Sequence, residues 1–268
     1  MQPGGQVMLR SLQTAATGMD AQQSLVDTLS NNIANVNTVG FKKSRAHFND
    51  LLYQNLRAPG LNSTAGTIVP SGIQVGNGVR LVSMEKMFQE GAIKVTGNDT
   101  DLIVKGRGFF RVQLPDGNIS YTRDGTFRRA ADGRVVTAEG LPLLPEIIVP
   151  PSTTNLKVGF DGVVTATIPG EAEGRNLGQI QIANFVNPAG LNSLGRNLYS
   201  VSPASGEPIV ANPGENGTGQ LGQGELENSN VNIVEEMVQM IVGQRAYELN
   251  SKVIKTGDEM LASTNQMR

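Results

Sequence analysis

The 268-residue chain has no cysteine, no tryptophan and one histidine, His47. Without thiols there is no disulfide, no thiolate metal site and no thiol nucleophile. A single imidazole removes His-based triads and His-rich metal centres, and a lone ring of this kind reads as a surface or interface group beyond the end of a helix. Aromatic residues make up only 4% of the chain against 32 glycines, so a compact, aromatic-rich core is not expected. The net charge of −2 lacks the basic excess that marks a nucleic-acid surface. No apolar run approaches the roughly 20 residues of a spanning helix, so no membrane insertion is expected. Nor do residues 1–7, MQPGGQV, show the basic start and unbroken apolar stretch of a cleaved signal peptide.

What the chain does have is helical periodicity at both ends. From Met8 the residues Leu12, Ala15, Met19, Val26, Leu29, Ile33 and Val36 fall on the a and d positions of a heptad frame, with Gln22 the one interruption. Such a narrow stripe suits a helical partner. The run Asn31, Asn32, Asn35, Asn37, Thr38 and Gly40 predicts termination between Val36 and Gly40. At the other end Ile233, Met240, Tyr247, Ile254 and Leu261 recur every seven residues and Met237 supplies a d position. Gln244, Ser251 and Asp258 occupy the remaining d positions, so this helix calls for several neighbours. Ser229, Asn230 or Asn232 can cap it, and Glu235 and Glu236 favour the positive end of its dipole. The N-terminal segment is slightly basic and the C-terminal one acidic, which permits the two to pair.

Between the ends the period changes. Short β-branched runs from residue 101 to 199 are separated by Asp116-Gly117, Asp124-Gly125, Asp132-Gly133 and Asp161-Gly162, which read as hairpin turns of a β domain. Residues 58–80 and 202–224 are rich in Gly and Pro and read as extended connectors. The expected organisation is an extension at 1–7, a helix at 8–40, a connector at 41–97, a β domain at 98–201, a connector at 202–227 and a helix at 228–268. No phosphate loop or dinucleotide loop occurs. Asp99 and Asp101 lie two apart in a Gly-rich turn, where a solvated turn outweighs a calcium loop or a glycan-hydrolysing pair. No catalytic, cofactor or metal residue is expected.

Three ordered motifs carry a family resemblance across nearly the whole chain: SLQTAATGMDAQQSLVDTLSNNIANVNTVGFKKSRAHFNDLLYQ, DLIVKGRGFFRVQLPDGNISYTRDGTFRRAADGRVVTAEGLPLLP and NSNVNIVEEMVQMIVGQRAYELNSKVIKTGDEML. They resemble the bacterial flagellar rod and hook family. Residues 48–80, with FNDLLYQNLRAPG and VPSGIQVGNGVR, resemble a segment of the distal rod branch that hook members lack. Family members usually begin at a Met matching Met8, which makes residues 1–7 an extension or a misassigned start.

The resemblance implies an α+β fold: N- and C-terminal helices paired as an inner coiled coil, extended connectors, and an outward β-rich middle domain. It implies a helical homo-oligomer forming a rigid hollow drive shaft, with proximal rod proteins, the hook protein, the P and L rings and the type III export apparatus as partners. Leu12, Met19, Val26, Leu29 and Ile33 would meet Ile233, Met237, Met240, Tyr247, Ile254 and Leu261 within and between subunits. Asn31, Asn32 and Asn35 would lie where subunits stack, and Leu51, Leu52, Tyr53 and Leu56 would stiffen the shaft. The implied location is the periplasm-spanning rod of the basal body, reached without a cleaved signal. The alternatives are a proximal rod or hook-type member, and a secreted β-rich adhesin or tail component.

Overall fold

Helix α1 spans Pro3–Ala34 and helix α2 spans Ile233–Gln266, about 48 and 51 Å at 1.5 Å per residue. Among the described residues the elements between them are short strands and one 3-10 turn, so the chain is α+β in the order helix, strands, helix. This is seen in a computed structural model that describes residues 3–57, 62–63, 67–68, 71–169 and 174–266. Two compact units result: one of Met1–Ile33, Ser44–Glu85 and Ile233–Arg268, the other of Ala34–Lys43 and Lys86–Asn232.

The first unit holds both helices and a ribbon. Helix α1 starts at Pro3, where a missing amide hydrogen is harmless, and stops at Ala34, two residues short of the expected range. The turn that follows ends on Gly40, in the left-handed region at φ +70°. Residues 41–97 were expected to run as an extended connector, but much of the segment pairs with itself. Ser44–Asp50 pairs with Val79–Lys86, Gln54–Arg57 with Ile73–Val75, and Asn62–Ser63 with Thr67–Ile68. The pairs nest in sequence order, giving a β-ribbon of successive two-stranded segments among the described residues. It lies against α1 at Gly78, whose φ is +111° and where a Cβ would fall 2.1 Å from the Thr17 hydroxyl. Only glycine fits there.

The second unit is built mainly of short strands, with a 3-10 turn at Pro188–Gly190. Its largest sheet runs Asn192–Gly195, Leu198–Ser200, Ile119–Thr122, Phe109–Gln113, Ile182–Asn184 and Ile209–Ala211, with Leu143–Leu144 also pairing the central strand. The aromatic residues, though few, are concentrated. Phe109, Tyr121, Phe185 and Tyr199 are buried together with Phe88 packed on them, in edge-to-face contacts at 4.9–6.0 Å. A second, mainly aliphatic core joins Leu102, Val104, Phe110, Phe127, Ile147 and Ile182. The expectation of no aromatic core is thus corrected, because a low count does not prevent clustering on facing strands.

Two further corrections concern turns and connectors. Gly117, Gly133 and Gly162 do close hairpins at positive φ, but the preceding Asp residues do not share it, so these are type I turns followed by a left-handed glycine. Asp124-Gly125 is no hairpin: Gly125 faces Leu102, where a Cβ would be 1.6 Å from the carbonyl oxygen. The two-residue turn with both residues at positive φ is Arg196-Asn197. Residues 202–224, expected as a connector, are woven into the unit. Ile209–Ala211 pairs with Ile182–Asn184, Gln220–Gln223 pairs with Leu102–Lys105, and Leu221 lies in the aliphatic core. Glycine composition here marks close backbone approach: a Cβ on Gly219 would sit 2.2 Å from the Lys105 carbonyl.

Candidate functional site

The helix pair comes first because its two faces differ. Antiparallel contact is fixed at four levels: Asn32 with Glu236, Val26 with Gly243, Gly18 with Asn250, and Leu12 with Gly257. Along α2 the contacting positions 236, 243, 250 and 257 repeat every seven residues. With Met240, Ile254 and Leu261, all half-buried, and Tyr247, which lines a cleft with Val26, they form a 3–4 alternation. The heptad read from sequence identifies the large members of this face. Its other half was missed, since Glu, Gly, Asn and Gly carry no hydrophobic signal; their spacing was the available clue.

Other apolar residues of α2 are left open to solvent. Ile233, Val234, Met237, Val238, Ile241 and Val242 are exposed in this single chain, as are Leu249, Val253 and Met260. Ile233 and Met237, expected at a subunit interface, are exposed in the single chain. On α1, Leu29 is buried and Leu12, Met19, Val26 and Ile33 are half-buried.

The ribbon offers a second apolar surface. Leu52 is 90% exposed, and Tyr53, Leu56, Ile73, Val82 and Met84 are exposed as well. Leu56 and Val75 form one wall of a groove whose other wall includes Thr14, Ala15, Asn250 and Val253. Leu51 is half-buried. His47 faces Glu85 across the ribbon, with Nε2 3.2 Å from the carboxylate.

Asn32 does not point outward. It is 1% exposed, its Oδ1 accepts the Ser44 amide at 2.9 Å, and its Nδ2 donates to the Ser44 carbonyl and to Glu236 Oε2, both at 2.9 Å. Asn31 is exposed and Asn35 half-buried.

A buried ionic cluster in the second unit was not foreseen. Lys42 Nζ meets Glu227 Oε1 at 2.5 Å, and Arg123 Nη1 approaches Glu227 Oε2 at 3.5 Å. Lys42 also donates to the Gln89 carbonyl at 2.6 Å, and Arg123 to the carbonyls of Val104 at 3.0 Å and Gly106 at 2.6 Å. The Gly91 amide donates to Glu227 Oε1 at 2.9 Å. Burial pushes the Lys42 ammonium below its ordinary range, and Glu227 pulls it partly back. Nearby, Asn230 ties Lys43 N to the Met87 carbonyl, each at 2.8 Å. The cluster thus fastens the segment leaving α1 to the segment entering α2. Charge in the sequence does not by itself reveal burial, so neither residue was singled out.

Of the two acids at 99 and 101, the second has its side chain tied down within the β unit. Asp101 is buried and accepts hydrogen bonds from Thr96 Oγ1 at 2.6 Å and Asn98 Nδ2 at 3.1 Å. Among the described residues no cluster of His, Cys, Asp or Glu has metal-binding geometry, and no helix is long and apolar enough to cross a membrane.

Two terminal helices with an outward apolar face, flanking a β-rich middle, define a subunit-type architecture, and comparison with known proteins gives its class. Residues 12–42 match the family described as "Flagella basal body rod protein", residues 103–166 the "Flagellar hook protein FlgE/F/G D1 domain", and residues 223–267 the "Flagellar basal body rod FlgEFG protein C-terminal". The chain belongs to the flagellar basal-body rod protein family, whose members are structural proteins. Within it, the chain is similar to the flagellar basal-body rod protein FlgG of Buchnera aphidicola subsp. Schizaphis graminum, 52% identical over 260 residues, covering 97% of this chain and all of the relative. The FlgG proteins of Borreliella burgdorferi and Caulobacter vibrioides are 46% and 45% identical, each over 97% of this chain and 99% and 100% of their own lengths.

Proposed function

We propose that the chain is the structural subunit of the distal rod, polymerising helically into a hollow shaft that transmits torque, with no catalytic role. The observation that carries this is the outward face of α2. Val234, Met237, Val238, Ile241 and Val242, close together on the first turns of α2, are all more than half exposed, and clustered exposed apolar residues mark interaction surfaces. A second copy's helices are the occupants that fit it, and heterologous contacts of this kind build open helical arrays. In such an array the helix pair would be the inner coiled coil and the β unit the outer layer. Ile233, Met237, Met240, Tyr247, Ile254 and Leu261 would meet Leu12, Met19, Val26, Leu29 and Ile33 of neighbouring subunits as well as their own. Asn31 and Asn35 would lie near the stacking level. Leu51, Leu52, Tyr53 and Leu56 would stiffen the shaft by packing on adjacent copies. Proximal rod proteins, the hook protein, the P and L rings and the export apparatus complete the set of partners, and the location is the periplasm-spanning rod, reached without a cleaved signal.

The test is Val238→Lys with Ile241→Lys in the purified chain. Two ammonium groups on the outer face leave the contact with α1 intact, so the monomer should keep its circular dichroism and lose sedimentable polymer at least tenfold. Polymer formation at the parent level would refute the assignment of that face.

A further inference from the structure

The first ten residues of α2, IVEEMVQMIV, are apolar on three sides, so hydrophobic burial alone does not choose which side meets α1. The side that does so gives two of its positions to Glu236 and Gly243, with Met240 between them. Turning the helix by one residue would place Val242 against Val26 and withdraw part of the outer surface. Something other than area holds the observed rotation. Asn32 is the buried group suited to do so. Ser44 occupies its Oδ1 and one of its N–H bonds, which fixes the amide plane and aims the second N–H at α2. Glu236, 3% exposed, receives it at 2.9 Å. Rotation of α2 would take that donor away from a buried carboxylate, and losing a hydrogen bond to a buried charge costs more than losing a neutral contact.

We infer that the Asn32–Glu236 pair is a rotational pin. It sets the register and facing of α2 against α1 and so keeps Val234, Val238, Ile241 and Val242 outward. Buried polar pairs fix helix register in this way in coiled coils, at some expense in stability. The consequence for assembly rests on the proposed function, but the pin itself is a property of the single chain.

The absence of native cysteine makes the test direct. Two reporter pairs are introduced separately, Val26→Cys with Gly243→Cys and Val26→Cys with Val242→Cys, and intrachain disulfide yield is measured on monomer. In the parent background the 26–243 pair should cross-link and the 26–242 pair should not. With Asn32→Leu and Glu236→Leu the preference should reverse and polymer yield should fall. Unchanged dominance of 26–243 in that background would overturn the pin, placing control of rotation in the glycine contacts. Should the double leucine variant misfold, Asn32→Asp supplies the second arm. It sets two carboxylates together without changing size, and should lower the 26–243 yield; adding Glu236→Gln should restore it. Equal yields in all three chains would also overturn the proposal. A parent chain that cross-links at 26–243 yet never polymerises would sink the assembly reading and leave the pin standing.

Discussion

Glu227 carries a carboxylate into a region closed to water and meets two cations there. Lys42 and Arg123 are both buried, and both reach it from segments far away in sequence. Replacing such a group is asymmetric in its effect, because the two cations stay buried when the anion goes. Glu227→Ala should therefore destabilise the β unit by about 3–5 kcal/mol, read as a lowered urea midpoint in tyrosine fluorescence. A midpoint within experimental scatter of the parent would show that water enters the cluster freely. The hydroxyls of Tyr121 and Tyr199 give a pH dependence of known sign. Burial raises both above the ordinary tyrosine range, Tyr199 most strongly. Above about pH 10 the unfolded chain releases protons that the folded chain keeps, so stability falls as pH rises beyond that point. Tyrosinate absorbance from these two side chains should appear together with loss of the near-ultraviolet dichroism of the β unit; tyrosinate signal from them in a chain that stays folded would contradict their burial.

Among the elements, the glycines of α2 and of the ribbon show how one residue type serves opposite ends. Gly243 lies inside a helix, and its added Cβ would meet Val26 at 3.4 Å, an ordinary contact. Gly243→Ala should thus stabilise the helix by up to about 1 kcal/mol through propensity. Gly78→Ala should instead unseat the ribbon, because φ is +111° and Thr17 occupies the space. Thermal melts of the two variants should move in opposite directions; a common direction would mean that helix and ribbon are not in contact as described. The same residues explain what the sequence disclosed. Period-seven recurrence of Met240, Tyr247, Ile254 and Leu261 was legible because apolar side chains announce a buried face. Glu236, Gly243, Asn250 and Gly257 were not, because the side of a helix that permits close approach is silent in hydropathy. Residues 202–224 misled for a related reason: glycine and proline signal both linkers and tightly apposed strands. Lys42 and Glu227 drew no notice in the sequence, since burial of an ion pair depends on partners distant along the chain.

At the scale of the whole molecule the order helix, β-rich middle, helix followed from periodicity alone, and three ordered motifs led to the family. What periodicity left open was which face of each helix is satisfied within the chain. The structure answers for α2: a stripe in which Glu236, Gly243, Asn250 and Gly257 alternate with larger residues turns to α1, and a further set of apolar residues is left exposed. The account stands on that exposed set being an assembly surface. Electron microscopy of the purified chain under polymerising conditions, with hydrogen exchange on α2 before and after, tests this most directly. The account predicts straight hollow tubes and strong new protection of residues 233–242 on assembly. Persistent monomer, or tubes in which that segment exchanges as fast as before, would contradict it.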